Sequence, residues 1–233
     1  MNNIAALPQS IEDPDDLVDD GGSSVYERIR EEIITGGLAA NARLKVSDLA
    51  KRLGTSTNPV REALQQLRGE GFVVMSPNKG ARVRPIDEDF VRNTFEIELL
   101  IEPYLMRSFV ELVTDADIIM LEALQDEMER LNFSDEKLHS ALDQKFHRTM
   151  YDRHYNRHAV DMWWRHREIL SAISWRFPVS LRRRANVMQE HRDLIHALKA
   201  QDAEQAAATI SRHVEGSGRH IIEQMRAARR HES

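Results

Sequence analysis

The sequence predicts a mainly α protein, in which an N-terminal winged helix-turn-helix unit precedes an all-α helical bundle. Within residues 46–69, two short helical patterns are joined by a polar turn, and two strand-like runs follow them. After Asp87 the pattern is helical, with no convincing strand and no glycine-rich phosphate loop. We therefore predict a disordered acidic tail over 1–22, a winged unit over 23–85 and a helical domain over 86–233.

Charge is divided unevenly among these three regions. Residues 1–20 contain six Asp or Glu and no Lys or Arg, without apolar periodicity, which is typical of a disordered segment. Residues 21–85 contain eleven Lys or Arg and six Asp or Glu, although the whole chain has a formal net charge of -6. Only this middle region carries the positive charge that favours contact with phosphates.

The winged unit is predicted from apolar spacing and from turn residues. Val25, Ile29 and Ile33 lie on one face of a helix that ends at the Gly36-Gly37 pair. A second helix over 46–53 and a third that stops at Gly69 are joined by the turn from Gly54 to Asn58. A hairpin follows, with strands over 72–75 and 81–84 and a turn over 76–80, and Pro85 closes the unit.

This arrangement predicts a DNA-reading surface, because the second helix of a helix-turn-helix enters the major groove. Asn58 or Ser56 can cap that helix, and Arg61 lies in its first turns, where side chains reach base edges or phosphates. The predicted wing tip carries Asn78, Lys79 and Gly80. The alternative is that a unit of this shape binds another protein. The positive charge of residues 21–85 favours DNA instead.

The remaining chain is predicted to form consecutive helices. Polar start signals occur at Thr114-Asp115, Ser134-Asp135 and Gln201-Asp202. The predicted helices cover 87–113, 115–132, 134–155, 158–177, 179–199 and 202–229.

Four residues of this helical domain form a candidate metal site. Asp143 and His147 are four residues apart and therefore share a helical face, and His191 and His213 lie on two later helices. One carboxylate and three imidazoles suit Zn, Ni, Mn or Fe. The chain has 10 histidines, so other sets can be drawn from spacing alone.

Other classes of protein are excluded or disfavoured by the sequence. No apolar run approaches the length of a membrane span, and the N-terminus lacks a secretory signal pattern. The chain has no cysteine, so disulfides and thiolate chemistry are excluded. We expect a cytoplasmic protein without a membrane partner.

Residues 25–84 resemble the N-terminal domain of GntR-type transcriptional regulators, in the motifs VYERIREEIITGGL, SDLAKRLGTSTNPVREALQQLRGEGFV and NKGARV. Residues 87–229 resemble the FCD effector-binding domain of the FadR-like branch, in DQKFHRTMY and EHRDLIHALKAQDAEQAAATISRHV. The resemblance implies a regulator that binds a two-fold operator in double-stranded DNA as a homodimer. It also implies a divalent metal, with Zn favoured, beneath a cavity for a small carboxylate effector. Its ligands would be Asp143, His147, His191 and His213.

Several positions depart from the family pattern. Ser47 and Thr57 stand where members often carry DNA-reading arginines, so the operator sequence does not carry over. Asn41 replaces a glycine and can adopt the same left-handed backbone. Glu98 replaces the arginine that would neutralise an effector carboxylate, and Arg176 is our candidate substitute.

Two alternatives to an effector-controlled regulator stay open. One is a regulator whose metal is structural or is itself the signal, and the other is a metal-dependent hydrolase. The hydrolase is disfavoured because no partnered general base is identifiable and a DNA reader has no evident use in it. We interpret Trp163, Trp164 and Trp175 as packing residues and Arg182-Arg183-Arg184 as a solvated helix start.

Overall fold

The computed structural model describes residues 24–76, 80–174, 177 and 179–232. Several predictions fall on positions outside the described residues: the acidic tail over 1–22, the wing residues Asn78 and Lys79, and Trp175 and Arg176.

The N-terminal unit has the predicted three helices and hairpin, together with a short strand that the sequence pattern did not indicate. In chain order its elements are α1 Val25–Ile34, β1 Arg43–Leu44, α2 Val46–Leu53, α3 Thr57–Gly69, β2 Val73–Ser76 and β3 Gly80–Val83. The sheet is antiparallel with the order β1-β3-β2. β1 was missed because two residues are too short to show a strand period.

Local chemistry explains where these helices begin and end. The Ser24 hydroxyl accepts the Glu27 N–H while the Glu27 carboxylate accepts the Ser24 N–H, so two of the free donors at the start of α1 are satisfied. Asn41 has a φ of 64°, the left-handed conformation expected of it. Ile29, Val60 and Leu67 are fully buried, and they hold the unit together.

Among its described residues, the second unit has six helices, at the predicted places within a few residues at each end. They are α4 Glu88–Leu112, α5 Asp115–Leu131, α6 Glu136–Tyr151, α7 Arg157–Ser174, α8 Leu181–Lys199 and α9 Ala203–Glu232. Side chains of Asp87, Thr114, Asp135 and Ser180 cap the starts of α4, α5, α6 and α8. The most extensive helix–helix contact joins α4 to α9. Within the described residues, no helix is long and apolar enough to cross a membrane.

Helix α7 of the helical bundle contacts the N-terminal unit. A Cβ placed on Gly71, in the turn between α3 and β2, would come within 2.9 Å of Ile169 Cδ1, so the backbone of this turn packs directly on α7. Gly71 also has a φ of +90°, which side-chain-bearing residues rarely adopt. A second contact joins the N-terminal unit to α4, where the Arg84 guanidinium lies 5.2 Å from the centre of the Phe90 ring.

Candidate metal centre and nucleic-acid interface

Among the described residues, the predicted DNA-reading positions are exposed. Thr57, Asn58 and Arg61 are exposed in the first turns of α3, while the opposite face of this helix is buried. Ser47 is exposed near the start of α2, and Gly80 is exposed with a φ of +73°. Ser56 occupies the cap position of α3, but its side chain makes no capping hydrogen bond.

Three of the predicted metal ligands meet in the core of the helical bundle. His147 on α6, His191 on α8 and His213 on α9 place ligand atoms within 4.8 Å of one another, and all three side chains are buried. The ring centres lie between 5.0 and 5.5 Å apart. Packing of three separate helices therefore gathers the histidines that sequence spacing alone could not select from 10.

The fourth predicted ligand, Asp143, lies beside this cluster. Its Oδ1 atom is 3.6 Å from His191 Nε2 and 3.9 Å from His147 Nε2. The second carboxylate oxygen, Oδ2, accepts a hydrogen bond from the Arg167 guanidinium of α7. One oxygen of Asp143 thus faces the histidines while the other is held by the partly buried Arg167 cation.

The outer nitrogens of two histidines are fixed by hydrogen bonds. His191 Nδ1 donates to Gln125 Oε1 at 3.0 Å, and the Gln125 amide nitrogen donates to Glu129, which sets the orientation of the amide. His213 Nδ1 donates to Glu190 Oε2 at 2.9 Å. Such contacts to the distal nitrogen orient metal-binding imidazoles with Nε2 toward the ion.

The unsatisfied atoms of the cluster fit a divalent metal. The Nε2 atoms of His147 and His191 are buried and have no hydrogen-bond partner among the described residues. Buried nitrogen acceptors without partners are costly, and an ion coordinated by them would remove that cost. With the Asp143 carboxylate, this donor set matches the borderline-soft ligands that Zn²⁺ prefers.

Electrostatics hold these groups in the protonation state that metal binding needs. Burial, together with the neighbouring His213, lowers the pKa of His191 to about 3. Burial and the nearby Arg167 charge also hold the pKa of His147 well below its usual value. Burial acts to raise the pKa of Asp143, but Arg167 and the histidines outweigh it and lower that pKa. Neutral imidazoles and an ionised carboxylate are the ligand forms.

Arg183 corrects our interpretation of the Arg182-Arg183-Arg184 run as a solvated helix start. Its side chain is buried, and it donates to Glu190 at 2.8 Å, to the His213 carbonyl at 2.8 Å and to Ser217 at 2.9 Å. A Cβ on Gly216 would come within 2.8 Å of its guanidinium, so this glycine leaves room for it. Hydrogen bonds from His213 and Arg183 outweigh burial and lower the pKa of Glu190 to about 2.

A cavity of about 190 Å³ adjoins the cluster. Asp143, His213 and Arg167 belong to its wall, so the candidate metal centre and the cavity share residues. The rest of the wall is Phe95, Phe133, Glu136, His139, Ser140, Gln144, Leu170, Ser171, Val179, Val187, Ser217 and Ile221.

Of the two predicted effector-binding residues, Glu98 is not among the residues that line this cavity. Glu98 is buried, and its Oε1 lies 2.6 Å from His166 Nδ1. Arg176 lies outside the described residues. Trp163, in contrast, has the predicted packing role, since it is fully buried with its ring centre 5.0 Å from that of Tyr151.

Sequence reasoning missed the residues that support the centre. Arg167, Gln125 and Glu190 come from α7, α5 and α8, and their importance follows from tertiary contacts rather than from local spacing. Glu190 offered one weak signal, because it directly precedes a candidate histidine.

Comparisons with known proteins agree with this architecture. Residues 22–83 match the family described as bacterial regulatory proteins, gntR family, and residues 93–216 match the FCD domain. The uncharacterized HTH-type transcriptional regulator YdhC of Bacillus subtilis (strain 168) is 21% identical over 198 residues, covering 84% of this chain and 88% of YdhC. The HTH-type transcriptional repressor GlaR of Escherichia coli (strain K12) is 25% identical over 201 residues, covering 81% and 90% respectively.

A solved structure supports the same fold. Escherichia coli McbR/YncC aligns with a TM-score of 0.67 and 20% identity over 86% of this chain and 96% of that one. The FCD match covers more than half of the chain, and the gntR match precedes it in the order seen here. This protein therefore belongs to the GntR family of transcriptional regulators and carries a C-terminal FCD domain.

Proposed function

We propose that this regulator binds a two-fold operator in double-stranded DNA, and that a small carboxylate effector beside a divalent metal controls its affinity. The observation that carries the proposal is the shared wall of the cluster and the cavity. Asp143 and His213 face both, so a ligand in the cavity lies against the residues that would hold the ion. We therefore assign effector recognition to the helical domain, apart from the DNA-reading surface.

The ion would be held by Asp143, His147, His191 and His213. When bound, it supplies positive charge, and Zn²⁺ is favoured by the nitrogen-rich ligand set. Gln125 and Glu190 hold the imidazoles of His191 and His213 in orientation, and Arg183 holds Glu190.

DNA recognition is assigned to the exposed N-terminal turns of α3. Arg61 reaches toward bases or phosphates from this position, and Ser47, Thr57, Asn58 and Gly80 lie on the same unit. Asn78 and Lys79 are retained as wing contacts because of their place in the sequence.

A homodimer is proposed because a two-fold operator requires two reading helices. The exposed apolar residues Ile97, Leu100 and Tyr104 lie on one face of α4, at helical spacings of three and four. Leu100 is 76% exposed, and the Tyr155 hydroxyl adjoins the stripe, 2.7 Å from that of Tyr104. We assign this stripe to the contact between protomers.

Helix α7 provides the physical connection between the two units. Arg167, Leu170 and Ser171 line the cavity, whereas Ile169 packs against Gly71 at the end of α3. A ligand that moves α7 would therefore change the position of α3, the recognition helix, relative to the helical domain. If α3 has two positions, the ligand can change the free energy of operator binding only by the difference between its own binding free energies for these two states.

The test is a titration of operator DNA with four preparations: metal-depleted and zinc-loaded protein, each with and without a panel of small carboxylates. The proposal expects an acid to change operator affinity only when zinc is present.

Arg61→Ala should weaken operator binding by about 1–3 kcal/mol, with exposed Arg92→Ala on α4 as the control.

Other outcomes separate the alternatives. A response to zinc alone, with no acid active, would identify a metal sensor. Operator affinity that is the same in all four preparations would contradict control through this site.

A further inference from the structure

The cavity changes chemical character along its length. On α9 its wall runs from His213 through Ser217 to Ile221, which spans about 12 Å at 1.5 Å per residue. Phe95 adjoins the same stretch, because a Cβ on Gly218 would come within 2.7 Å of its ring. The end beside the metal cluster is thus polar and charged, and apolar side chains dominate the wall further away.

Positive charge in this wall is confined to one place. Arg167 is the only arginine or lysine among the described lining residues, and it lies at the cluster end beside Asp143. Its guanidinium has five N–H donors, so pairing with one oxygen of Asp143 leaves others available. Glu136 also contributes a carboxylate to the wall, about two helical turns before Asp143 on α6, and this carboxylate pairs with Arg184 at 3.5 Å.

Resting on the proposed function, we infer that the effector is a monocarboxylate with an apolar body, and that Arg167 anchors its carboxylate. The carboxylate lies at the Arg167 and Asp143 end, and the apolar body lies along Phe95, Leu170 and Ile221. Arg167 thereby supplies from α7 the positive charge that Glu98 does not supply from α4.

The same wall disfavours a second carboxylate. An acid group at the far end of the ligand would lose its water against Phe95 and Ile221. Arg184 does not compensate for that loss, because it is already paired with Glu136, and the Glu136 carboxylate in the wall would repel the acid group. Burial of an apolar chain at that end is favourable, at about 25 cal/mol per Å².

A matched ligand series tests the class without any substitution. Hexanoate, adipate and hexanamide share a six-carbon chain and differ only in their end groups. Calorimetric titration into zinc-loaded full-length protein should give hexanoate at least about tenfold tighter binding than adipate or hexanamide. Equal or tighter binding of adipate would overturn the monocarboxylate assignment.

Arg167→Gln tests the anchor, with Arg165→Gln as the control, because Arg165 is an exposed arginine on the same helix. Arg167→Gln should weaken hexanoate at least about tenfold and leave hexanamide unchanged, while Arg165→Gln should alter neither. Equal weakening of hexanoate and hexanamide would show a merely structural role and overturn the anchor. If Arg167→Gln does not fold, the ligand series still decides the class.

Operator release separates this inference from the proposed function. If adipate binds and releases the operator while hexanoate does neither, the regulator stands and the ligand class is wrong. If no acid binds or alters operator affinity, the proposed effector site itself is wrong.

Discussion

Glu98 makes the stability of the protein depend on pH. Burial raises the pKa of Glu98 to about 8, so near neutral pH the folded chain retains a proton that the unfolded chain releases. Folded stability is therefore lost as pH rises from the ordinary carboxyl pKa toward about 8. The loss is on the order of 1.4 kcal/mol for each unit by which the folded pKa exceeds the unfolded one.

Glu98→Gln should reduce this dependence, because the amide stays neutral and can still donate to His166 Nδ1. Part of it should remain, because burial also raises the pKa of Glu102, to about 7. Its melting temperature should exceed that of the parent at pH 8.5, and the difference should shrink at pH 5. Thermal melts across this range measure both, with exposed Glu96→Gln on the same helix as the control. A difference that is constant with pH would show that Glu98 is already ionised in the folded protein.

His191 is a direct test of the candidate metal centre, because its Nε2 is buried without a described partner while its Nδ1 is held by Gln125. His191→Ala should lower the zinc content and, in the zinc-loaded state, the melting temperature, since binding energy is partly folding energy. Elemental analysis and thermal melts with and without chelator measure these effects. His196→Ala, which removes an exposed imidazole from the same helix, should leave both unchanged. Zinc bound equally by the parent and His191→Ala would contradict the assignment of this ligand.

Among the elements, α7 should transmit the effector signal. Ile169→Ala removes the side chain that packs on Gly71 but leaves the cavity wall intact. We expect effector binding to persist while the change in operator affinity is reduced, as measured by paired ligand and DNA titrations.

Ile195→Ala is the matched control, because Ile195 is comparably buried on α8. Both variants should lower the free energy of unfolding by about 2–5 kcal/mol, but Ile195→Ala should retain the full effector response. Loss of the response in both would mean that general destabilisation, rather than the α7 contact, explains the effect.

The elements also show which features a sequence can predict. Apolar spacing and cap residues located the helices of both units, because each helix start depends on side chains within one turn, such as Asp87 and Thr114. The strand Arg43–Leu44 was missed because its partner, not its own pattern, creates it. Arg183 was misread for the same reason: its burial is produced by α9 packing onto the start of α8.

The candidate site divides along similar lines. Asp143 and His147 share a helical face by spacing, whereas family resemblance was needed to select His191 and His213. Arg167 could not be found this way, since its contact with Asp143 joins two helices.

For the whole molecule, the exposed stripe on α4 should determine the oligomeric state. Leu100→Glu places a charge in the centre of the stripe and should shift the protein toward the monomer, because burying an unpaired carboxylate is costly. Sedimentation velocity measures the shift. Leu181→Glu, at an 81% exposed position on α8, should leave the assembly unchanged. A dimer that persists in Leu100→Glu would exclude this stripe as the contact.

The three histidines come from three different helices, and this affects the kinetics of unfolding. An ion held by α6, α8 and α9 cross-links segments that would otherwise separate one at a time. The ion must then be released before or during the opening of the bundle. Because a site gathered from three helices is complete only after the folding transition state, the ion should slow unfolding more than it speeds folding. Zinc supply would thereby set the lifetime of each folded regulator molecule, independently of any signal that it carries.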